Sequence, residues 1–114
     1  MFLRFMCAAA AALTLAPVPQ ALADETMSAQ QILHLFPGTF RAVVQGKYEL
    51  QVTVTRDGSI VGMVPGLEDR GRWTVREDQL CIVMPAMTRG RVECSEVVAD
   101  GGWYRGRNVV FQKL

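Results

Sequence analysis

The longest unbroken alternation in the chain runs from Lys47 to Thr55, with apolar Tyr48, Leu50, Val52 and Val54 interleaved with polar Lys47, Glu49, Gln51, Thr53 and Thr55. A period of two sends successive side chains to opposite faces, so this segment predicts a strand with one dry and one wet face. Asp57-Gly58 is a hairpin-turn signal, and residues 60–64 supply the returning strand. Residues 40–44 form the strand before it, joined through Gln45-Gly46. Residues 65–69 read as a loop, and Gly71-Arg72-Trp73-Thr74-Val75 as a strand with Trp73 and Val75 inward. A turn at residues 76–78 leads to a pair of strands, 79–84 and 91–98, separated by residues 85–90. Asp100-Gly101-Gly102 turns the chain once more, and residues 103–104 and 109–111 complete the set. The pattern predicts a mainly β fold, a meander of seven or eight short antiparallel strands that forms a small barrel or a sandwich. Both faces of residues 80–84 are apolar, which is the mark of a strand buried on both sides.

One stretch breaks the two-residue rhythm. Ser28-Ala29-Gln30-Gln31 matches a capping box, and Ile32, Leu33, Leu35 and Phe36 give the helix behind it an apolar side. Pro37-Gly38 ends it, because proline disfavours helical geometry at the residue before it. At about two turns this helix has no stability of its own and must lie on an apolar surface. Residues 24–27 form a polar lead without structure signals.

The start of the chain has a different character. Arg4 precedes an apolar, alanine-rich run over residues 5–16, and Ala21-Leu22-Ala23 is a small-x-small cleavage site before Asp24. Residues 1–23 are therefore expected to be a cleaved signal peptide, 24–38 the polar lead and short helix, and 39–114 the antiparallel β-domain. Pro17 and Pro19 break the apolar run short of the roughly 20 residues a membrane crossing needs, so no transmembrane segment is expected after cleavage. Cys7 lacks a lipoprotein cleavage context and leaves with the signal. The expected location is periplasmic or secreted.

The processed chain is small, and its formal charge falls from +1 to zero once Arg4 is removed. No field of one sign draws it to nucleic acid or acidic lipid, and its length rules out a multidomain enzyme. Two cysteines remain, Cys81 and Cys94, and an even number in an exported chain points to one intrachain disulfide. The hairpin layout supports the pairing: folding residues 79–84 onto 91–98 about the intervening loop sets Cys81 opposite Cys94 and Gln79 opposite Glu96. Directly opposed residues of a non-hydrogen-bonded pair have Cα atoms about 4.5 Å apart, within reach of a disulfide.

Catalytic chemistry finds little support. There is no G-x-S-x-G, no phosphate loop and no dinucleotide fingerprint, and the sole histidine, His34, lies on the helix far from both cysteines. Asp57, Glu68, Asp69, Glu77, Asp78, Glu96 and Asp100 read as solvated residues of turns and strand ends. Nothing brings Glu49 and Glu93 together as an acid–base pair. Met84-Pro85-Ala86-Met87 with Met63 and His34 is explained by core packing and a hairpin tip rather than by copper ligation. No catalytic residue, metal or cofactor is expected.

The unusual feature is Arg-Gly-Arg three times: Arg70-Gly71-Arg72, Arg89-Gly90-Arg91 and Arg105-Gly106-Arg107. On a strand the arginines of each triplet share a face, and planar guanidinium donors suit phosphate, sulfate or carboxylate groups. Convergent triplets would make an anion site; the plainer reading is that glycines mark turns while arginines solvate strand ends. Trp103 and Tyr104 are adjacent, so an extended backbone sends them to opposite faces and leaves one of them for a ligand.

Leu35-Phe36-Pro37-Gly38, Asp57-Gly58, Gly71-x-Trp73-x-Val75, Leu80-Cys81, Cys94, Val97 and Asp100-Gly101 follow one another in an order that resembles a family of small exported proteins of Gram-negative bacteria known as a domain of unknown function. The resemblance implies a periplasmic or secreted β-domain and carries no catalytic residues with it. The expected function is that of an exported, non-catalytic binding module of the cell envelope that recognises an anionic component or a protein partner. The alternative is an inhibitor of a secreted or lytic enzyme, acting through an exposed loop at residues 65–70 or 85–90.

Overall fold

The computed structural model describes residues 25–114; the expected signal peptide and its cleavage site lie outside the described residues. The helix, α1 (Ala29–Leu35), starts as its sequence dictates. The Ser28 N–H donates to Gln31 Oε1 at 2.8 Å and the Gln31 N–H donates to Ser28 Oγ at 3.2 Å, which closes the capping box. Ile32 is wholly buried, so the helix owes its stability to the sheet it covers. Two long-range bonds hold it there: the Ala29 N–H donates to Asp78 Oδ1, and Lys113 Nζ donates to the Leu35 carbonyl.

The strands are β1 (Glu25–Thr26), β2 (Gly38–Val44), β3 (Tyr48–Val54), β4 (Ser59–Val64), β5 (Leu67–Arg76), β6 (Gln79–Val83), β7 (Glu93–Ser95), β8 (Val98–Asp100), β9 (Trp103–Gly106) and β10 (Val109–Lys113). They form one antiparallel sheet in the order β1-β8-β9-β10-β2-β3-β4-β5-β6-β7, curled into a half-barrel. The mainly β fold with a short helix is as expected, and the count of seven or eight strands is corrected to ten among the described residues. Two causes account for the difference. The lead that carried no structure signal pairs Glu25 and Thr26 with Ala99 and Val98. The single strand expected over residues 91–98 is broken at Glu96 and Val97, with β7 on one side and β8 on the other.

That break is the seam of the barrel. β7 and β8 are two residues apart in the chain yet lie at or next to opposite ends of the strand order, so the curled sheet brings its two ends together through Glu96 and Val97. Val97 is buried and its carbonyl accepts the Met27 N–H at 2.8 Å. Ser95 Oγ accepts the Arg107 N–H at 2.7 Å and donates to the Glu96 carbonyl, which ties β7 to the turn between β9 and β10. The loop expected at residues 65–69 is also shorter than its sequence implies, because β5 begins at Leu67, directly after Pro65 and Gly66.

Leu50, Val52 and Val54 of β3 point into the core as the alternation requires, while Tyr48, on the same face, stands clear of the barrel's end. Phe36, from the end of the helix, packs against Phe40, Trp73 and Phe111 with ring centroids 4.9 to 6.0 Å apart. The helix therefore closes one end of the barrel with an aromatic plug. The Cys81–Cys94 disulfide forms between directly opposed residues of β6 and β7, whose Cα atoms are 4.0 Å apart. Leu80 and Cys81 face opposite sides and are both buried, so β6 is covered on both faces.

Candidate functional site

The end of the barrel opposite the helix is where the two candidate loops meet. Inward positions of β5 are Leu67, Asp69, Gly71, Trp73 and Val75, so alternation places a carboxylate among apolar side chains. Asp69 is only 7% exposed, and it is not the solvated turn residue its sequence context implies. Its carboxylate accepts the Ala86 N–H at 3.1 and 3.2 Å and the Met87 N–H at 2.8 Å. A buried charge held by two backbone donors is satisfied, and it fixes those donors in turn. Thr88 completes the pinning: its hydroxyl accepts the Met84 N–H and donates to the Met84 carbonyl. Residues 85–90 therefore lie across the barrel mouth as a loop tied at both sides.

Between this loop and the strand ends lies a cleft of about 260 Å³ whose lining is mostly apolar. Leu50, Gly62 and Val64 form its floor, and Tyr48, Leu67 and Met87 stand on its rim, 55%, 57% and 42% exposed. Met87 and Val44 also line a void of about 70 Å³ inside the barrel and a crevice of about 160 Å³ under the far side of the loop, so these two residues lie between the mouth and the interior. Organic ligands generally occupy pockets of roughly 300–1,000 Å³. The interior void is far below that size, because Met84 and the aromatic cluster fill the barrel; the mouth cleft approaches it and opens outward.

The arginine triplets lie on different elements of the chain. Arg70 and Arg72 share the outer face of β5, with Gly71 inward, and only this triplet sits wholly on a strand. Arg89 and Gly90 belong to the mouth loop, and Arg89 has a left-handed backbone, φ 58°. Arg105 and Gly106 end β9 and Arg107 enters the next turn. β5 and β9 are separated by four strands, β4, β3, β2 and β10, in the strand order, whereas across the seam Gly106 and Arg107 line one crevice with Met87 and Thr88 of the loop that carries Arg89 and Gly90. Arg70 pairs with Glu68, Arg105 Nε lies 3.2 Å from Asp100 Oδ2, and Arg72 donates to the Asp57 carbonyl at 3.1 Å. Tyr104 turns inward and stacks on Phe111 at 5.6 Å, while Trp103 is half-buried on the other face.

Among the described residues, Asp57 has a carboxyl whose pKa its neighbours lower. Hydrogen bonds from the Thr55 hydroxyl and the Ser59 N–H, with help from the Arg72 charge, hold its carboxyl below the usual value. These are the bonds of a tight hairpin turn. Among the described residues no three His, Cys, Asp or Glu side chains stand together as a metal site, and no helix is long and apolar enough to cross a membrane. Sequence reasoning named the residues of the two loops but not their meeting, since Asp69 and its partners are 17 and 18 residues apart. A carboxylate at an inward position of an alternating strand was the available signal. No family model, curated protein or solved structure matches the chain.

Proposed function

We propose that the protein is a non-catalytic binding module of the cell envelope, periplasmic or secreted, and that it takes apolar side chains of a protein partner at the barrel mouth. The observation that carries this reading is the cleft whose rim leaves Tyr48, Leu67 and Met87 exposed around an apolar floor. Aromatic residues and methionine are the types enriched where proteins meet. Each partner side chain fully buried there would contribute roughly 1.5–3 kcal/mol, and the cleft has room for one or two. Recognition of an anionic component by the Arg-Gly-Arg triplets has less support, because Arg70 and Arg105 each pair with a carboxylate and Arg72 donates to the Asp57 carbonyl.

A second reading, inhibition of a secreted or lytic enzyme, draws on the same geometry. A loop pinned by Asp69 and Thr88 has little ordering entropy left to lose on insertion into a partner. Photo-crosslinking separates the outcomes. A benzophenone side chain at position 48 or 67 should trap a discrete partner in cells, while the same group at position 41, on the outer face of β2, should not. Adducts of equal yield from all three positions would refute a mouth-directed partner. An adduct identified as a lytic enzyme, whose activity the purified protein suppresses, would favour the second reading.

A further inference from the structure

We propose that the outer face of β5 carries a second binding site, which takes the phosphate group of a phosphate monoester with an apolar body. The site is a groove of about 460 Å³ beside the helix that shares no lining residue with the mouth cleft, and it does not depend on the mouth's role. Arg72 and Arg76 stand on one face of β5 with Thr74 between them, and Arg56 reaches the same groove from the tip of the β3–β4 hairpin. Three arginines thus line one depression, from β5 and from the β3–β4 turn. Among the described residues neither Arg56 nor Arg76 has an ion pair or hydrogen bond through its side chain, so their donors are unspent.

Among the described residues Asp57 is the one carboxylate lining the groove, and its Oδ1 already accepts from Thr55 and Ser59. The Asp57 carbonyl holds the Arg72 guanidinium in place at 3.1 Å, which uses one of its five N–H donors and fixes the direction of the others. The lining therefore keeps a net positive charge together with one preorganised guanidinium. Arginine presents its donors in a planar fork that matches the oxygens of a tetrahedral phosphate, and three forks can share three oxygens where a flat carboxylate offers two. Leu33 and Val92, 51% and 54% exposed, line the same groove and supply a surface for an apolar body attached to the phosphate.

The probe is phenyl phosphate, titrated into ¹⁵N-labelled protein with inorganic phosphate and phenylacetate as comparators. Saturable shifts of the Gly58, Thr74 and Arg76 amides are expected, with phenyl phosphate binding more tightly than either comparator. Arg56→Gln and Arg76→Gln should each weaken it at least about fivefold, as loss of a solvent-facing charge-assisted contact predicts, and Arg41→Gln on the distant β2 should not. Both groove substitutions sit on exposed side chains, and an unchanged dispersion of the spectrum verifies the fold. Sedimentation with phosphatidylcholine vesicles containing phosphatidic acid identifies the source: binding that the Arg56→Gln and Arg76→Gln variants lose indicates a lipid headgroup, and no binding indicates a free phosphate ester. Shifts that do not saturate by about 10 mM, too weak for recognition, would overturn the site. Equal binding of phenylacetate would overturn the assignment to phosphate, and shifts unaffected in the double variant would overturn the role of the arginines.

Discussion

Gly71 lies where β6 curves over the inside of β5. A Cβ built there would come 2.0 Å from the Val83 carbonyl oxygen and 2.8 Å from Met84 Cγ. The first of these atoms belongs to the backbone and has no rotamer to give, so Gly71→Ala should destabilise the protein by about 3 kcal/mol, at the upper end of the cost of overpacking. For a domain of this size that lowers the melting temperature by more than about 10 °C; a loss of under a few degrees in calorimetry would contradict the close approach. Asp57 offers a different residue-level test. Its folded-state pKa is depressed, so the unfolded chain takes up the proton first as pH falls, and its contribution is present above the unfolded value and lost through the folded one. The stability advantage of the wild type over Asp57→Asn should therefore be full at neutral pH and shrink steadily in acid. Denaturation midpoints measured across that range check the sign, and a gap that widens in acid would reverse it.

The mouth loop shows how an element acquires its shape from a distant side chain. Asp69→Ala strands the N–H groups of Ala86 and Met87, at a cost of about 1–3 kcal/mol for a buried unsatisfied donor. Asp69→Asn keeps one acceptor oxygen and should cost less. Both variants should speed amide exchange at residues 86 and 87 and leave the β3–β4 hairpin protected; exchange rates that stay at wild-type values would detach the loop from Asp69. The same element marks what the sequence does and does not disclose. The capping box, the β3 alternation and the opposition of Cys81 and Cys94 were legible because each is set by neighbours or by one hairpin. Asp69 read as a turn carboxylate, residues 24–27 as structureless and residues 91–98 as one strand, because the partners that decide them lie elsewhere in the fold. The mouth cleft was hidden for the same reason: Tyr48, Leu67 and Met87 come from three separate strand ends and loops, and only closure makes them neighbours.

On the scale of the whole molecule, one short strand decides whether the half-barrel keeps its ends together. β7 spans only Glu93–Ser95 and pairs with β6 alone, yet it carries Ser95, whose hydroxyl takes the Arg107 N–H across the seam. Three residues of ladder give such a strand little hold, and the disulfide to Cys81 adds a covalent constraint. In the chain-entropy picture, closing this loop of about 14 residues stabilises the fold by roughly 3 kcal/mol, a large share of the 5–15 kcal/mol typical of a small domain. The Cys81→Ser, Cys94→Ser double variant should thus lose stability unevenly. Exchange should accelerate first at the amides of residues 93–95, at Arg107 and at Met27, whose N–H is bonded to Val97, while β2, β3 and β4 exchange only on global unfolding. Chemical reduction of the wild type should give the same pattern. If protection instead fell by one factor throughout the sheet, the disulfide would be acting on the unfolded chain alone and the seam would be held by its hydrogen bonds and by buried Val97.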